Sequence, residues 1–282
     1  MLFAQTAVDN LKTVWAELNK FVIGTAGLKR RKIDRPAFID SSAQIYPDVR
    51  IGKRAKIGRF VKIHQGAVIG EDVEIADYAV IGRNVVVGNF SRICYGATVE
   101  LDCRLQENVL IGESAEVGAG STIGECSEIA HGCQIGNCSV IGANVLVDLN
   151  VVFSNNVTIG DRTKIGRGSY VGADAILDDD INVSENAVIC GEAIIRNFAI
   201  IGEWSVIEVG AEVGMNVDIG SGVTVGTGAK IKKGVKLGAF VADGERMLVE
   251  ENIDASWRYM PDDDQHAWIN SSFSCKTVST SS

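Results

Sequence analysis

The sequence predicts an all-β solenoid, a fold made by stacking many copies of one short repeat. From Ile39 to Leu237 every sixth residue is aliphatic, except for Phe153, and the register is never broken. The position two residues earlier holds Ala, Val, Ser, Thr or Cys, and Ile181 is the one larger exception. Two inward positions separated by an outward one are typical of a short strand. A six-residue unit cannot bury its own apolar side, whereas stacked copies can.

Glycine is the second mark of the repeat. It directly follows the large aliphatic residue in 18 of the 34 repeats. Glycine adopts positive φ without steric cost, so we expect these glycines to be turn residues with that backbone conformation. A strand followed by such a turn accounts for all six residues of the unit.

The six-residue pattern resembles that of the hexapeptide-repeat family, whose fold is a left-handed parallel β-helix. In that family three repeats form one triangular coil, so the 34 repeats here imply about eleven coils. The left-handedness comes from the resemblance alone, and it runs against the usual right-handed crossover. The chain then divides into an N-terminal amphipathic helix and linker (1–36), the β-helix (37–242), and a C-terminal helical extension with a disordered tail (243–282).

Both extensions are predicted from local patterns. Thr6–Ile23 has apolar residues at helical spacing, and we interpret it as a helix that caps the open first coil. The alternative is a helix that docks a protein partner or a membrane surface, together with the basic run 29–32. Glu245–Tyr259 is predicted to be helical, and the Ser/Thr-rich residues 270–282 are predicted to be disordered.

Composition excludes several classes of protein. A net charge of −9 argues against a nucleic-acid partner. No apolar run is long enough to span a bilayer, so no transmembrane segment is expected, and Met1–Gly27 lacks the features of a secretory signal. Cys103 and Cys133 occupy the small inward position, where a thiol acts as a small apolar group. Seven cysteines without a CxxC pair indicate reduced thiols and a cytoplasmic location.

One segment points to chemistry. Residues 128–137 read E-I-A-H-G-C-Q-I-G-N, which resembles the "I-A-H-D-C-x-[IV]-G-[ND]" segment of hexapeptide acyltransferases. The likeness is greatest to the UDP-N-acetylglucosamine O-acyltransferases and the sialic-acid O-acetyltransferases. The resemblance implies that His131 is a general base, and Glu113, 18 residues and therefore one coil earlier on the same outward column, is in a position to orient its ring. It also implies that the backbone N–H of Leu149, one coil later, binds the acyl donor at its developing oxyanion.

The same resemblance implies the reaction and the assembly. The acyl group would come from acyl-CoA or acyl carrier protein, used as a donor substrate with no bound cofactor. The acceptor would be a hydroxyl or amine of a sugar or nucleotide sugar. Members of the family are homotrimers with active sites between subunits, so a homotrimer is expected here. A further protein partner could bind through the terminal helices.

Three departures from the family pattern keep a second function open. Gly132 stands where the family has Asp, Leu149 stands where it has Gly, and no loop interrupts the repeats. These features favour a non-catalytic β-helix that serves as a rigid scaffold, with His131 as one surface residue among others. A protein like the gamma-class carbonic anhydrases but without zinc ligands is a further alternative. His64 and His131 fall on different faces, and no His/Cys spacing indicates a metal site.

Overall fold

A computed structural model of the chain describes residues 32–238, 241 and 246–247, which form a three-sided parallel β-solenoid. Successive strands enter three sheets in rotation, and each strand pairs in parallel with the strand one coil further on. In the second sheet, for example, Ile111 pairs with Ile129 and Ile129 with Val147, each a step of one coil. The predicted fold class is therefore confirmed, and the arrangement is consistent with a left-handed β-helix of about eleven coils.

Every described strand has two residues, and from Phe38–Ile39 to Lys236–Leu237 an outward residue is followed by a large inward one, which is aliphatic except at Phe153. The first sheet contains Lys32–Ile33, Arg50–Ile51, Val68–Ile69, Val86–Val87, Arg104–Leu105, Thr122–Ile123, Val140–Ile141, Thr158–Ile159, Ile176–Leu177, Ile194–Ile195, Glu212–Val213, Lys230–Ile231 and Arg246–Met247. The second contains Phe38–Ile39, Lys56–Ile57, Glu74–Ile75, Arg92–Ile93, Leu110–Ile111, Glu128–Ile129, Leu146–Val147, Lys164–Ile165, Asn182–Val183, Ile200–Ile201, Asp218–Ile219 and Lys236–Leu237. The third contains Gln44–Ile45, Lys62–Ile63, Val80–Ile81, Thr98–Val99, Glu116–Val117, Gln134–Ile135, Val152–Phe153, Tyr170–Val171, Val188–Ile189, Val206–Ile207 and Thr224–Val225.

The core is one continuous aliphatic column along the solenoid axis. Every predicted large inward residue from Ile51 to Leu237 is buried, whereas Ile39 and Ile45 of the first coil are only partly buried. The small inward position is equally closed, and its hydroxyls are hydrogen bonded. Ser121 Oγ donates to the Gly136 carbonyl at 2.9 Å and accepts from the Ser139 N–H at 3.1 Å. The buried hydroxyl is therefore hydrogen bonded both as a donor and as an acceptor.

The prediction that the glycine directly after the aliphatic residue adopts positive φ is wrong. Positive φ occurs three residues after the aliphatic residue, at every such position from Asp48 to Gly234, and not directly after it. Asn, Asp and Gly fill most of these turn positions, since they tolerate the left-handed region best. The turn is therefore made by a residue that the sequence pattern did not single out.

The glycine directly after the aliphatic residue serves close packing between coils instead. A Cβ built on Gly112 would lie 2.5 Å from the Ala130 carbonyl carbon and 2.7 Å from the His131 nitrogen. Real Cβ atoms do not approach backbone this closely, so glycine permits the next coil to settle directly on the turn.

The two ends of the chain test the remaining predictions only in part. Arg246–Met247 form a strand that pairs with Lys230–Ile231, where a helix beginning at Glu245 was predicted. The six-residue period of the sequence ends at Leu237. The pairing shows that a further strand still forms beyond it, and that the coil leading to this strand is shorter than the regular coils. The predicted helix Thr6–Ile23 and the rest of the C-terminal extension lie outside the described residues. Within the described part, no helix is long and apolar enough to cross a membrane.

Candidate functional site

The candidate site lies on the corner that follows the second sheet. We call the residues two places after the aliphatic residue of each second-sheet strand the corner column. Because each member is one coil from the next, the members stack one above another along the solenoid. They are Ser41, Arg59, Asp77, Tyr95, Glu113, His131, Leu149, Arg167, Glu185, Glu203 and Ser221.

His131 is held rigidly by its backbone and is free at its side chain. The Gly132 N–H donates to the Glu113 carbonyl and the Asn150 N–H donates to the His131 carbonyl, both at 3.0 Å. These bonds tie the turn to the coils on either side. The imidazole itself is exposed, and within the described residues it makes no hydrogen bond or ion pair. It is thus open to a substrate on a corner with little freedom to move.

Glu113 and His131 are neighbours in the corner column, one coil apart. No hydrogen bond or ion pair joins the two side chains within the described part of the chain. Their spacing still allows a contact, because other neighbours in the same column reach each other across one coil. Arg59 Nη2 lies 2.8 Å from Asp77 Oδ2, and Arg167 Nη2 lies 3.8 Å from Glu185 Oε2. The one-coil spacing of the column is therefore compatible with a contact between Glu113 and the ring of His131.

The N–H of Leu149 already has a partner. It donates to Asp148 Oδ1 at 2.7 Å, so a side chain one residue earlier occupies the group that the resemblance assigns to an oxyanion. The Leu149 side chain is exposed and stands on the coil above His131. For an oxyanion to bind there, the Asp148 carboxylate must first turn away, since the two negative charges would repel each other.

Cys133 lies behind the candidate site and is a core residue. Its side chain is buried, and its Sγ donates to the Asp148 carbonyl at 2.9 Å. Burial raises the pKa of the Cys133 thiol, which keeps it protonated and unreactive. Cys103 is buried in the same way, and burial raises its pKa to about 11. The six cysteines of the described residues are free thiols.

Two depressions open on the face beside the corner column. One, of about 1050 Å³, lies over the first coils and ends at Tyr95. The other, of about 520 Å³, lies higher and includes Leu146, Asp148 and Glu185. His131 lies between them along the axis and lines neither. A single chain therefore presents the imidazole on an open surface.

The other described histidine is remote from this site. His64 directly follows a strand of the third sheet, and its ring stacks on Tyr46 with centroids 4.8 Å apart. His64 and His131 thus fall on different faces, as predicted. Among the residues that the structure describes, no group of three His, Cys, Asp or Glu side chains could hold a metal ion.

Comparison with known proteins gives similarity at the level of solved structures only. No protein-family model matches the chain, and no curated protein matches it. A UDP-N-acetylglucosamine acyltransferase of Arabidopsis is 18% identical, with 74% of this chain and 70% of that chain covered and a TM-score of 0.39. One from Bacteroides fragilis is 21% identical, with 62% and 66% covered and a TM-score of 0.33.

A third similar structure is a GDP-perosamine N-acetyl transferase from Caulobacter crescentus, in complex with CoA and GDP-perosamine. It is 23% identical, with 45% of this chain and 51% of that chain covered and a TM-score of 0.32. Identities and TM-scores this low carry no assignment of activity, so the function must be argued from the residues of this chain.

Sequence reasoning missed two features near the site. Asp148 takes the place that glycine holds in many repeats, but this departure by itself does not show that its carboxylate binds the Leu149 N–H. Tyr95 falls in the corner column by its spacing, but its place beside the larger depression follows only from the stacking of the coils.

Proposed function

We propose that the protein is an acyltransferase that moves an acyl group from the thioester of acyl-CoA or acyl carrier protein to a sugar hydroxyl or amine. His131 is its general base. The observation that carries the proposal is an exposed imidazole, rigidly tied at its backbone, within a segment that resembles the family's catalytic segment at the same repeat position. A structural surface residue has no reason to match both the residue types and the register.

The reaction requires a proton to be carried from the acceptor to the leaving thiolate, and it requires one developing negative charge to be stabilised. Neutral His131 removes the proton from the acceptor hydroxyl or amine as that atom attacks the thioester carbonyl carbon. The tetrahedral intermediate carries negative charge on the former carbonyl oxygen. Its collapse breaks the carbon–sulfur bond, and the departing thiolate takes the proton from the imidazolium of His131. The acceptor is acylated and a free thiol is released.

Glu113 and Leu149 act around this centre. Once rotated toward the ring, the Glu113 carboxylate orients the imidazole and stabilises its protonated form. The Leu149 N–H donates to the oxyanion after Asp148 releases it. Asp148 is therefore inhibitory in the proposed mechanism, because its carboxylate competes with the oxyanion for one donor.

A homotrimer with parallel axes would supply the walls that the single chain lacks. His131 lines neither depression, and the uninterrupted coils provide no loop that could close over a pantetheine arm. A neighbouring subunit packed along the corner would enclose the imidazole and exclude water. The acyl chain and the acceptor would then be selected at the boundary between two subunits.

The test compares three variants under one assay. Thiol release is followed with acetyl-CoA, a longer acyl-CoA and acyl carrier protein as donors, and with UDP-N-acetylglucosamine as acceptor probe. His131→Ala should lose about 100-fold or more in rate, because positioned proton transfer contributes roughly 10²–10⁴. His64→Ala, on another face, should match the wild type, and Asp148→Ala should be faster. If calorimetry shows no binding of any of these donors at millimolar concentration, the proposal is wrong.

The alternative function is a rigid scaffold. The observation that favours it is the unbroken series of coils from Ile39 to Leu237, without a loop that forms a cleft. A scaffold would bind no thioester, and His131→Ala would only remove one exposed side chain. The donor-binding measurement therefore separates the two functions.

A further inference from the structure

Three exposed aromatic rings follow one another over the first coils at the corner of the second sheet. The rings of Phe60 and Tyr78 stack with centroids 5.1 Å apart, and those of Tyr78 and Tyr95 meet at 5.4 Å with planes tilted by 59°. About half of each side chain is exposed, with Tyr95 at 52%. Apolar surface left in water does not contribute to the stability of the fold. This aromatic cluster of Phe60, Tyr78 and Tyr95 therefore needs another explanation.

The backbone conformation of Phe60 and Tyr78 is also unusual for aromatic residues. Phe60 and Tyr78 occupy turn positions with φ of 57° and 64°, which are unfavourable for bulky side chains. Asn, Asp or Gly fills the same position in most other coils. Exposed aromatic residues at a strained position indicate a role for the rings outside the fold itself.

The cluster borders the larger of the two depressions. Tyr95 and Phe38 lie at its edges, and both are exposed. Gly58 belongs to its lining, where the next coil packs so closely that a Cβ would lie 2.5 Å from Asp77 Oδ1. The depression of about 1050 Å³ thus joins aromatic rings with polar groups in one shallow surface.

The charges around the depression are mixed and largely engaged with each other. Asp40, Glu74 and Asp77 contribute carboxylates, and Lys56 and Arg59 contribute cations. Arg59 donates through its backbone N–H and its Nε to Asp77 at 2.8 and 2.9 Å, and these bonds hold the pKa of Asp77 below its ordinary value. Asp40 accepts from both the N–H and the Oγ of Ser42, at 2.9 and 2.7 Å. Such a surface has no dominant charge with which to attract an ion, but it is rich in fixed hydrogen-bond donors and acceptors.

We infer that this depression and the aromatic cluster form a binding site for an uncharged linear glycan. The apolar C–H face of a pyranose packs on an aromatic ring, and its hydroxyls suit fixed carboxylate and guanidinium partners. Tyr95 lines the depression, and Tyr78 and Phe60 continue from it with ring centroids 5.4 and 5.1 Å apart, a distance close to the length of one sugar unit, so a linear glycan can run along the rings. Tyr95 lies two coils from His131 in the corner column, yet binding here requires no acyl transfer and does not rest on the proposed activity.

The experiment measures binding by the full chain without any acyl donor. Cellohexaose and maltohexaose are titrated calorimetrically, and ligand-observed saturation-transfer NMR identifies the sugar protons that contact the protein. At least one oligosaccharide should bind saturably. Tyr95→Ala should weaken its binding by about tenfold, whereas Tyr95→Phe, which retains the ring, should stay close to the wild type.

The chain offers a matched control. Phe90 is 57% exposed and has φ of 61°, like the aromatic cluster, but it lies at the corner that follows the first sheet. Phe90→Ala should leave binding unchanged, and circular dichroism should show that all variants keep the fold. The inference is overturned if neither oligosaccharide binds the wild type at about 10 mM. It is also overturned if Phe90→Ala weakens binding as much as Tyr95→Ala, or if the anionic oligogalacturonate binds more tightly than both neutral probes.

Discussion

The glycine that directly follows the aliphatic residue in about half of the repeats gives the sharpest test of how the coils stack. Gly112 lies directly beneath the His131 turn, and its Cβ in Gly112→Ala would lie 2.5 Å from the Ala130 carbonyl carbon. Real Cβ atoms essentially never come within 3.0 Å of such a neighbour. The two coils must therefore separate by about half an ångström at this point, and backbone on both sides has to move.

The cost follows from the bonds that cross the same gap. The Gly112 N–H donates to the Ile129 carbonyl at 2.7 Å, and the Gly132 N–H donates to the Glu113 carbonyl at 3.0 Å. Overpacking costs typically about 1–3 kcal/mol, and each weakened backbone hydrogen bond adds up to about 1 kcal/mol. We expect Gly112→Ala to lower the free energy of unfolding by about 2–4 kcal/mol.

The control is a glycine at the turn position with positive φ, instead of one directly after the aliphatic residue. Gly210 has φ of 66°, and a Cβ there would meet nothing within 4 Å. Gly210→Asn should be neutral or slightly stabilising, because Asn tolerates this φ and restricts the unfolded chain. Chemical denaturation followed by circular dichroism measures both variants. The reasoning about close packing would be refuted if Gly210→Asn were the more damaging change, or if Gly112→Ala unfolded like the wild type.

Three further predictions test the register, the surface charges and the assembly. Ile135→Ala should cost roughly 2–5 kcal/mol in denaturation, whereas Gln134→Ala on the same strand should cost little, and the reverse result would mean a register shifted by one residue. Hydrogen bonds from Arg162 hold the pKa of Asp180 below its ordinary value of 3.8, so the carboxylate stabilises the fold above that pH and the effect is lost as the pH falls through the lower folded-state pKa. The free energy of unfolding of Asp180→Asn should therefore fall less than that of the wild type between about pH 6 and pH 2, and equal falls would contradict the assignment. Light scattering at micromolar concentration should give the mass of a trimer, and a monomer would contradict the shared active site.

The candidate site shows how far sequence reasoning reaches. His131 and Glu113 were found through one segment and the step of one coil, and the structure does stack them in one column. That Leu149 has its N–H bound by Asp148 could not be predicted, because it depends on the rotamer of one side chain. The separation of His131 from both depressions likewise depends on the surface formed by several coils together.

The sequence by itself determined the number of repeats, the inward positions and the fold class. The reason is that a six-residue unit buries its aliphatic side chains only when the repeats stack into coils. The tertiary structure alone decided what each glycine does and which residue adopts positive φ, since both depend on how closely one coil approaches the next. It also decided that Arg246–Met247 extend the first sheet, because residues beyond the regular period found a free strand edge at Lys230–Ile231 with which to pair.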